Sequence, residues 1–378
     1  MGKSSYDLPI LILFAMRPYQ LTLLLTELCN LRCSYCHCDK KFLASMRPQT
    51  AHKAIDEVME ARPAEEPLNI LLMGGEPFLA FPLIQDVVDY TCGNYPSKKV
   101  LFKAVSNGTL IHGNIQQWLL EHRNLFEVTL SLDGDKETHN RNRCGSFDLI
   151  DFDFFTKRYG RHTTVSSVVV PETLDKLAAN VMAMEEQGFG IKFALADGIA
   201  WDVQQDAPRL AAQLDLLIEH YLQHPQLQPM NLLSYAIWCV PGHFAPERCV
   251  PLTWSHCVAP DGKTHACHRS TPYYNSGEWS IPEEKISLRG VGFLKPACAT
   301  CCVRSICNAC PATVAALQGH PLQTEITCAL NKVLYVANAK LVVRMFLECP
   351  THIHITRRPA SMQIDMLQGA QTILEQLQ

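Results

Sequence analysis

The stretch Cys29-Asn30-Leu31-Arg32-Cys33-Ser34-Tyr35-Cys36 follows directly on the apolar, β-rich run Leu21–Thr26. Three thiols at spacings of three and two residues fit one short loop, and such a loop can turn all three sulfurs toward one centre. Thiolates are soft ligands that favour iron–sulfur clusters or zinc. On a four-iron cluster, three protein ligands leave one iron free for chemistry.

Outward from this loop the chain alternates. β-rich runs are read at Leu21–Thr26, Leu68–Met73, Leu101–Ser106, Phe126–Leu132, Thr163–Val170 and Ile191–Ala196. Amphipathic stretches lie between and after them, at Ala51–Ala61, Pro82–Tyr90, Ile115–His122, Phe147–Tyr159, Leu174–Gln187 and Ala207–His224. Six β/α units in sequence predict a parallel sheet, an α/β partial (β/α)6 TIM-like barrel with its site at the C-terminal ends of the strands. Those ends carry Gly74-Gly75-Glu76-Pro77, Ser106-Asn107-Gly108 and Ser131-Leu132-Asp133-Gly134.

The reading divides the chain into a 1–20 extension, a 21–225 barrel, a 226–247 linker, a 248–330 cysteine-rich domain and a 331–378 helical segment. Helices are expected at Thr327–Glu348 and Ala360–Gln378. Residues 238–330 hold ten of the seventeen cysteines, so this small domain is expected to depend on metal for its folding. With 33 basic and 37 acidic residues the net charge is −4, which points to neither nucleic acid nor a membrane surface as the main partner. The apolar run Leu8–Met16 is too short to span a bilayer and reads as a packed segment. Clustered thiols suit metal better than a disulfide framework, so a reducing cytoplasm is expected.

The C-x3-C-x2-C loop with an aromatic at Tyr35, followed by the three strand-end motifs in order, resembles the radical S-adenosylmethionine enzymes over roughly residues 20–200. The resemblance implies that Cys29, Cys33 and Cys36 hold a [4Fe–4S] cluster and that S-adenosylmethionine binds its open iron. Reductive cleavage then gives a 5′-deoxyadenosyl radical that takes hydrogen from substrate. Gly74, Gly75, Glu76, Pro77, Asn107, Ser131, Asp133 and Arg143 are the implied cofactor-binding residues. Among them Glu76 is the partner for the methionine amino group, and Ser131 and Arg143 for its carboxylate. Asn107 and Asp133 either contact the nucleoside or brace the loops. Cys38, Cys92, Cys144 and Cys349 read as ordinary thiols.

Further on, Cys249-x12-Gly262-x4-Cys267, with a hairpin turn at Pro260–Lys263, precedes Cys298-x2-Cys301-x5-Cys307-x2-Cys310 and Cys328. This resembles the SPASM extension of radical peptide maturases, except that the family's third gap is usually x3. The resemblance implies two auxiliary [4Fe–4S] clusters. One uses Cys298, Cys301, Cys307 and Cys328. The other uses Cys249, Cys267 and Cys310 with Cys239, or Cys257 in its place; Cys302 is a bystander. Zinc is the alternative metal for either set.

The implied activity is maturation of a ribosomally made peptide, with crosslinking ranked first. Sulfatase-type formylglycine formation ranks second, because a similar sulfatase maturase has a basic Asp where His268 stands here. A non-catalytic iron–sulfur electron carrier and a small-molecule dehydrogenase are the other classes. Expected partners are a peptide or protein substrate, a separate peptide-recognition protein, and an electron donor such as flavodoxin or ferredoxin.

Overall fold

The computed structural model describes residues 18–159, 163–234, 254–274, 296–307, 309–310 and 321–377. The apolar run Leu8–Met16, Cys239 and Cys249 therefore lie outside the described residues.

Six parallel strands run in sequence order across the sheet. They are β1 (Tyr19–Thr26), β2 (Leu68–Gly74), β3 (Val100–Ser106), β4 (Phe126–Ser131), β5 (Thr164–Val169) and β6 (Gly190–Leu195). Each lies within two residues of the run read from sequence at either end. Helices α1 (Pro48–Ala61), α2 (Phe81–Asn94) and α3 (Gly113–Glu121) follow the first three strands. In α1, Ala51, Ala54, Ile55 and Val58 recur at helical spacing and are all buried. On β1, Leu21, Leu23 and Leu25 join the main core, while Leu24 faces a second cluster with Cys257, Tyr273 and Tyr274. A strand buried on both faces reads as the near-continuous apolar run seen here.

After β4 the connection differs from the reading. A short polar helix α4 (Lys136–Asn142) comes first, capped by Asp135 accepting from the Thr138 amide. A 3-10 turn at Phe147–Leu149 and a π-helical turn at Phe154–Tyr159 then replace the single expected helix. The stretch read at Leu174–Gln187 is a 3-10 turn, Pro171–Lys176, running into α5 (Leu177–Glu186); α6 (Val203–Gln223) follows β6.

Among the described residues the sheet has eight strands, the six read from the sequence and two more. β7 (Ser255–Val258) pairs parallel to β1, with Gln20 opposite Ser255 and Leu23 opposite Val258, and β8 (Thr264–His265) returns antiparallel to it. The order β6-β5-β4-β3-β2-β1-β7-β8 is open. The first part of the cysteine-rich region thus continues the barrel sheet. At the other edge the Asn231 side chain accepts from the Phe193 amide (2.7 Å) and donates to its carbonyl (2.9 Å), so it blunts β6.

Three helices close the chain: α7 (Pro321–Glu348), α8 (Ile353–Thr356) and α9 (Ala360–Leu377). By length and hydropathy the Glu325–Glu348 part of α7 is apolar enough to cross a membrane. Here it packs against α6 and α9 and buries Leu330, Leu334, Tyr335, Leu341, Val342 and Met345.

Candidate functional site

The strand-end motifs meet at one mouth. Beyond β1 the chain is held as it enters the cysteine loop. The Ala44 amide donates to Glu27 Oε2 (2.8 Å), and the Gly75 and Glu76 amides donate to the carbonyls of Thr26 (2.9 Å) and Leu28 (2.8 Å). A Cβ on Gly74 would lie 2.5 Å from the Thr26 carbonyl oxygen, and one on Gly75 only 2.3 Å from that of Leu28. These glycines are required by the approach of two loops of the chain itself.

Within the loop, Cys29 Sγ accepts from the Leu31 amide (3.4 Å), and the Ser34 amide donates to the Asn142 carbonyl (2.8 Å). The three thiols are half-buried. Burial, with the charges of Cys36 and Cys29, pushes the Cys33 thiol up to about 11 against the opposing pull of Arg143. Burial raises Cys29 as well. Cys36 is drawn down to about 5, first by a hydrogen bond from Cys38 and further by Lys40.

Glu76 is the most enclosed acid of the site. Its Oε1 accepts from the Phe78 amide (3.1 Å) and the Ser106 hydroxyl (2.8 Å), and its Oε2 from the Asn107 amide (2.8 Å). Burial lifts its pKa to about 7 in spite of these bonds. Its carboxylate thus ties the β2 loop to the β3 loop. The Asn107 side chain donates to Asn30 Oδ1 (2.8 Å), and Asn30 donates to Thr109 Oγ1 (2.8 Å), so the β3 loop also grips the cysteine loop.

Asp133 and Arg143 form a buried ion pair. Arg143 Nε donates to Asp133 Oδ2 (3.0 Å) and Nη2 to Oδ1 (3.2 Å). The Asp133 carboxylate also accepts from the Tyr35 hydroxyl (2.9 Å), Asn142 Nδ2 (3.3 Å) and the Val168 amide (3.0 Å). Arg143 Nη1 points to Cys33 Sγ at 4.0 Å. Of the two roles open to Asp133 and Asn107, both side chains brace loops here. Ser131 is buried at the end of β4, and Asn142 Oδ1 is a buried acceptor with no partner among the described residues. Tyr35, Asn30 and Asn142 were not singled out as braces in the sequence. The first two sit inside the cysteine motif, where the thiols draw the eye; Asn142 lies in a polar helix with no apolar period.

The cysteine-rich region crosses the same mouth. Its hairpin turns at Pro260–Lys263 as read, with Gly262 at φ +83° and the Gly262 amide donating to the Ala259 carbonyl (2.9 Å). Cys267 caps a 3-10 turn, its amide donating to Ser270 Oγ (3.1 Å). Arg269 Nη1 reaches Asp197, just past β6, at 2.6 Å, and the Asp39 amide donates to the Tyr273 carbonyl (2.8 Å). The rings of His37 and His268 flank Tyr274 at 5.2 and 5.1 Å. Burial pushes His268 down to about 3.

Cys307 lies within charge range of Cys328, Cys301 and Cys298, and Cys267 within that of Cys310. Cys302 is buried in the main core, and Cys257 is fully buried beside Leu24 and the two tyrosines. Cys92 is exposed and Cys349 half-buried; the exposed Cys144, at φ +55°, donates its thiol to the Arg32 carbonyl (2.9 Å). Among the described residues, no three His, Cys, Asp or Glu side chains form a single-ion site.

Residues 23–180 match the Radical SAM superfamily. An uncharacterized protein of Methanocaldococcus jannaschii is 29% identical over 218 residues, 56% of this chain and 69% of that one. A cysteine-type anaerobic sulfatase-maturating enzyme of Clostridium perfringens is 32% identical over 140 residues. That match covers 34% of this chain and 35% of the enzyme, so the chain spans about a third of that relative's length. A solved structure of anSMEcpe with bound AdoMet and Cp18Cys peptide superposes with a TM-score of 0.68 at 20% identity, covering 86% of this chain and 98% of that one. The mostly parallel, unclosed sheet is the radical SAM fold. Proteins of this superfamily use a [4Fe–4S] cluster and S-adenosylmethionine.

Proposed function

We propose that this chain is a radical S-adenosylmethionine maturase acting on a peptide, with crosslinking of a ribosomally made peptide as its first-ranked reaction. One observation carries the reading: the cysteine loop is hydrogen-bonded to every other strand-end motif at the C-terminal mouth of a parallel sheet. A mere zinc loop needs no such bracing.

The residues fit the implied groups. Cys29, Cys33 and Cys36 supply soft donors for a cluster. Glu76 is a buried carboxylate whose direct partners are the neutral Phe78 and Asn107 amides and the Ser106 hydroxyl, which suits a methionine ammonium nearby. Arg143 Nη1, the nitrogen that Asp133 leaves over, and the Ser131 hydroxyl suit its carboxylate. When bound, the cluster and S-adenosylmethionine supply a carbon-centred radical that abstracts hydrogen. The chain's own part is to fix the thiols and to exclude water with the Glu76 and Asp133 braces.

For the auxiliary clusters the assignment keeps Cys298, Cys301, Cys307 and Cys328 in one. The other holds Cys249, Cys267 and Cys310. The fourth place goes to Cys239 by its order in the chain, with Cys257, buried beside Leu24 and two tyrosines and within charge range of Cys267, as the competitor. A flavodoxin or ferredoxin donor and a separate peptide-recognition protein complete the scheme.

Sulfatase-type maturation is the second reading, favoured by the identity to the Clostridium enzyme. Against it stands His268: a general base works best with a pKa near the working pH, and burial holds this imidazole far below.

The test begins with iron after anaerobic reconstitution. About twelve irons per chain are expected, falling to about eight in C29A/C33A/C36A. Co-expression with a short peptide encoded beside the gene should lower the peptide's mass by about two hydrogens on crosslinking. Loss of sulfur from a cysteine would favour the formylglycine reading instead. Zinc in place of iron at the first three cysteines would overturn the assignment.

A further inference from the structure

The Asp133–Arg143 pair does more than close a loop. Asp133 takes both nitrogens on one edge of the guanidinium, Nε and Nη2, and leaves Nη1 directed at Cys33 Sγ, 4.0 Å away. The carboxylate cannot turn, because the Val168 amide, Asn142 Nδ2 and the Tyr35 hydroxyl hold its oxygens. Both side chains are buried, at 0% and 8% exposure, where charge acts through a low dielectric. The Tyr35 ring lies 5.4 Å from the guanidinium carbon, and Tyr35 itself sits between Cys33 and Cys36. Arg143 thus faces a cluster thiol, and Asp133 stands behind it, held from β5 by the Val168 amide and from the cysteine loop by the Tyr35 hydroxyl.

We infer that Asp133 is a positioning residue that fixes Arg143 as a hydrogen-bond donor to the Cys33 thiolate, and that the pair thereby sets the reduction potential of the cluster held by Cys29, Cys33 and Cys36. This rests on the cluster assignment proposed above. Hydrogen bonds to ligand sulfur and nearby positive charge stabilise the more negative, reduced cluster. The role is separate from carboxylate binding by the same arginine, since it acts before S-adenosylmethionine arrives.

The experiment is a redox titration of the reconstituted full-length protein without S-adenosylmethionine, followed by electron paramagnetic resonance. The signal of the N-terminal cluster is the one missing from C29A/C33A/C36A. If wild-type protein shows no such signal and no loss of iron in that variant, the cluster assignment fails, and this inference with it. Given the signal, R143Q should shift its midpoint negative by about tenfold in the reduced-to-oxidised ratio, about 59 mV for a one-electron couple. D133E, which keeps the negative charge and displaces the carboxylate that aims the guanidinium, should shift it in the same direction by less. Should either variant fail to load iron, R143K carries the test, since it keeps the charge and loses the fork; a smaller negative shift is expected. An unchanged midpoint in the loaded variants overturns the inference. So does a positive shift, which is what water entering a loosened site would produce. Y35F, which removes one bond to Asp133 and keeps the ring, should move the midpoint least.

Discussion

Cys29, Cys33 and Cys36 follow a strand paired on both sides, and their loop is tied to the β2 loop by backbone amides and to the β3 and β4 loops by the buried Asn107 and Asp133 side chains. Cys298 lies instead on the 3-10 turn Pro296–Thr300, and Cys307 directly follows the 3-10 turn Arg304–Ile306; the backbone-to-backbone bonds described for both turns are local. One region positions its sulfurs by hydrogen bonds between loops; the other brings its sulfurs within charge range on short turns that pack on the core through Cys302, Val303 and Ile306. The difference argues for two relations between metal and fold. On the proposed assignment, the first site is preorganised, while the second draws folding free energy from the metal it binds.

Removing metal should separate the two most strongly. In small metal-dependent domains the metal contributes on the order of 10 kcal/mol. Hydrogen exchange on protein with and without reconstituted clusters should therefore show the amides of Cys301, Arg304 and Cys307 losing protection without metal by well over tenfold. The amides of Glu27, Ser34, Gly75 and Glu76 should change much less. Equal loss at both regions would erase the distinction.

Within the first region the largest single lever is Asp133. D133A leaves the Arg143 guanidinium buried and unpaired, which costs about 3–5 kcal/mol. Denaturant unfolding of the metal-free protein checks this, and a loss under about 1 kcal/mol would mean the braces are not what holds the loop.

How much of this was legible follows from the range of each interaction. The six strands show in the sequence because each buries apolar side chains at short, local spacing. The pairing of β7 with β1 does not: Ser255-His256-Cys257-Val258 is four residues of mixed polarity whose partner lies some 235 positions away. Helix α4, KETHNRN, has no apolar face to betray it; its one local signal is the Asp135 cap. At the site the thiols and glycines were legible as types, but not their relations. That Gly75 makes room for Leu28 and that Glu76 binds Ser106 and Asn107 are contacts between loops, which spacing along one chain does not encode.

Glu76 gives a pH test of the same preorganisation. Its folded pKa of about 7 lies above the 4.5 of a free glutamate, so the native state keeps a proton that the unfolded chain has released. The stabilising contribution is full below about pH 4.5 and is lost as pH rises through 7. At about 1.4 kcal/mol per unit this removes about 3 kcal/mol across the window. Metal-free wild-type protein should show that decline in its unfolding free energy between pH 5 and 8, and E76Q should lack it. A parallel decline in both would place the titrating group elsewhere.

The smallest effect probes the second region where it does touch regular structure. Tyr335, buried in α7, donates its hydroxyl to the Ile306 carbonyl at 2.9 Å, one residue before Cys307. Y335F keeps the ring in the core and removes one neutral hydrogen bond, worth about 1 kcal/mol. If metal is what secures the turn, that loss should appear in the metal-free protein as faster exchange of the Cys307 amide, and should shrink once iron is bound. If the loss is the same in both forms, α7 rather than the cluster holds the Cys307 turn in place, and the second region is more preorganised than its short turns indicate.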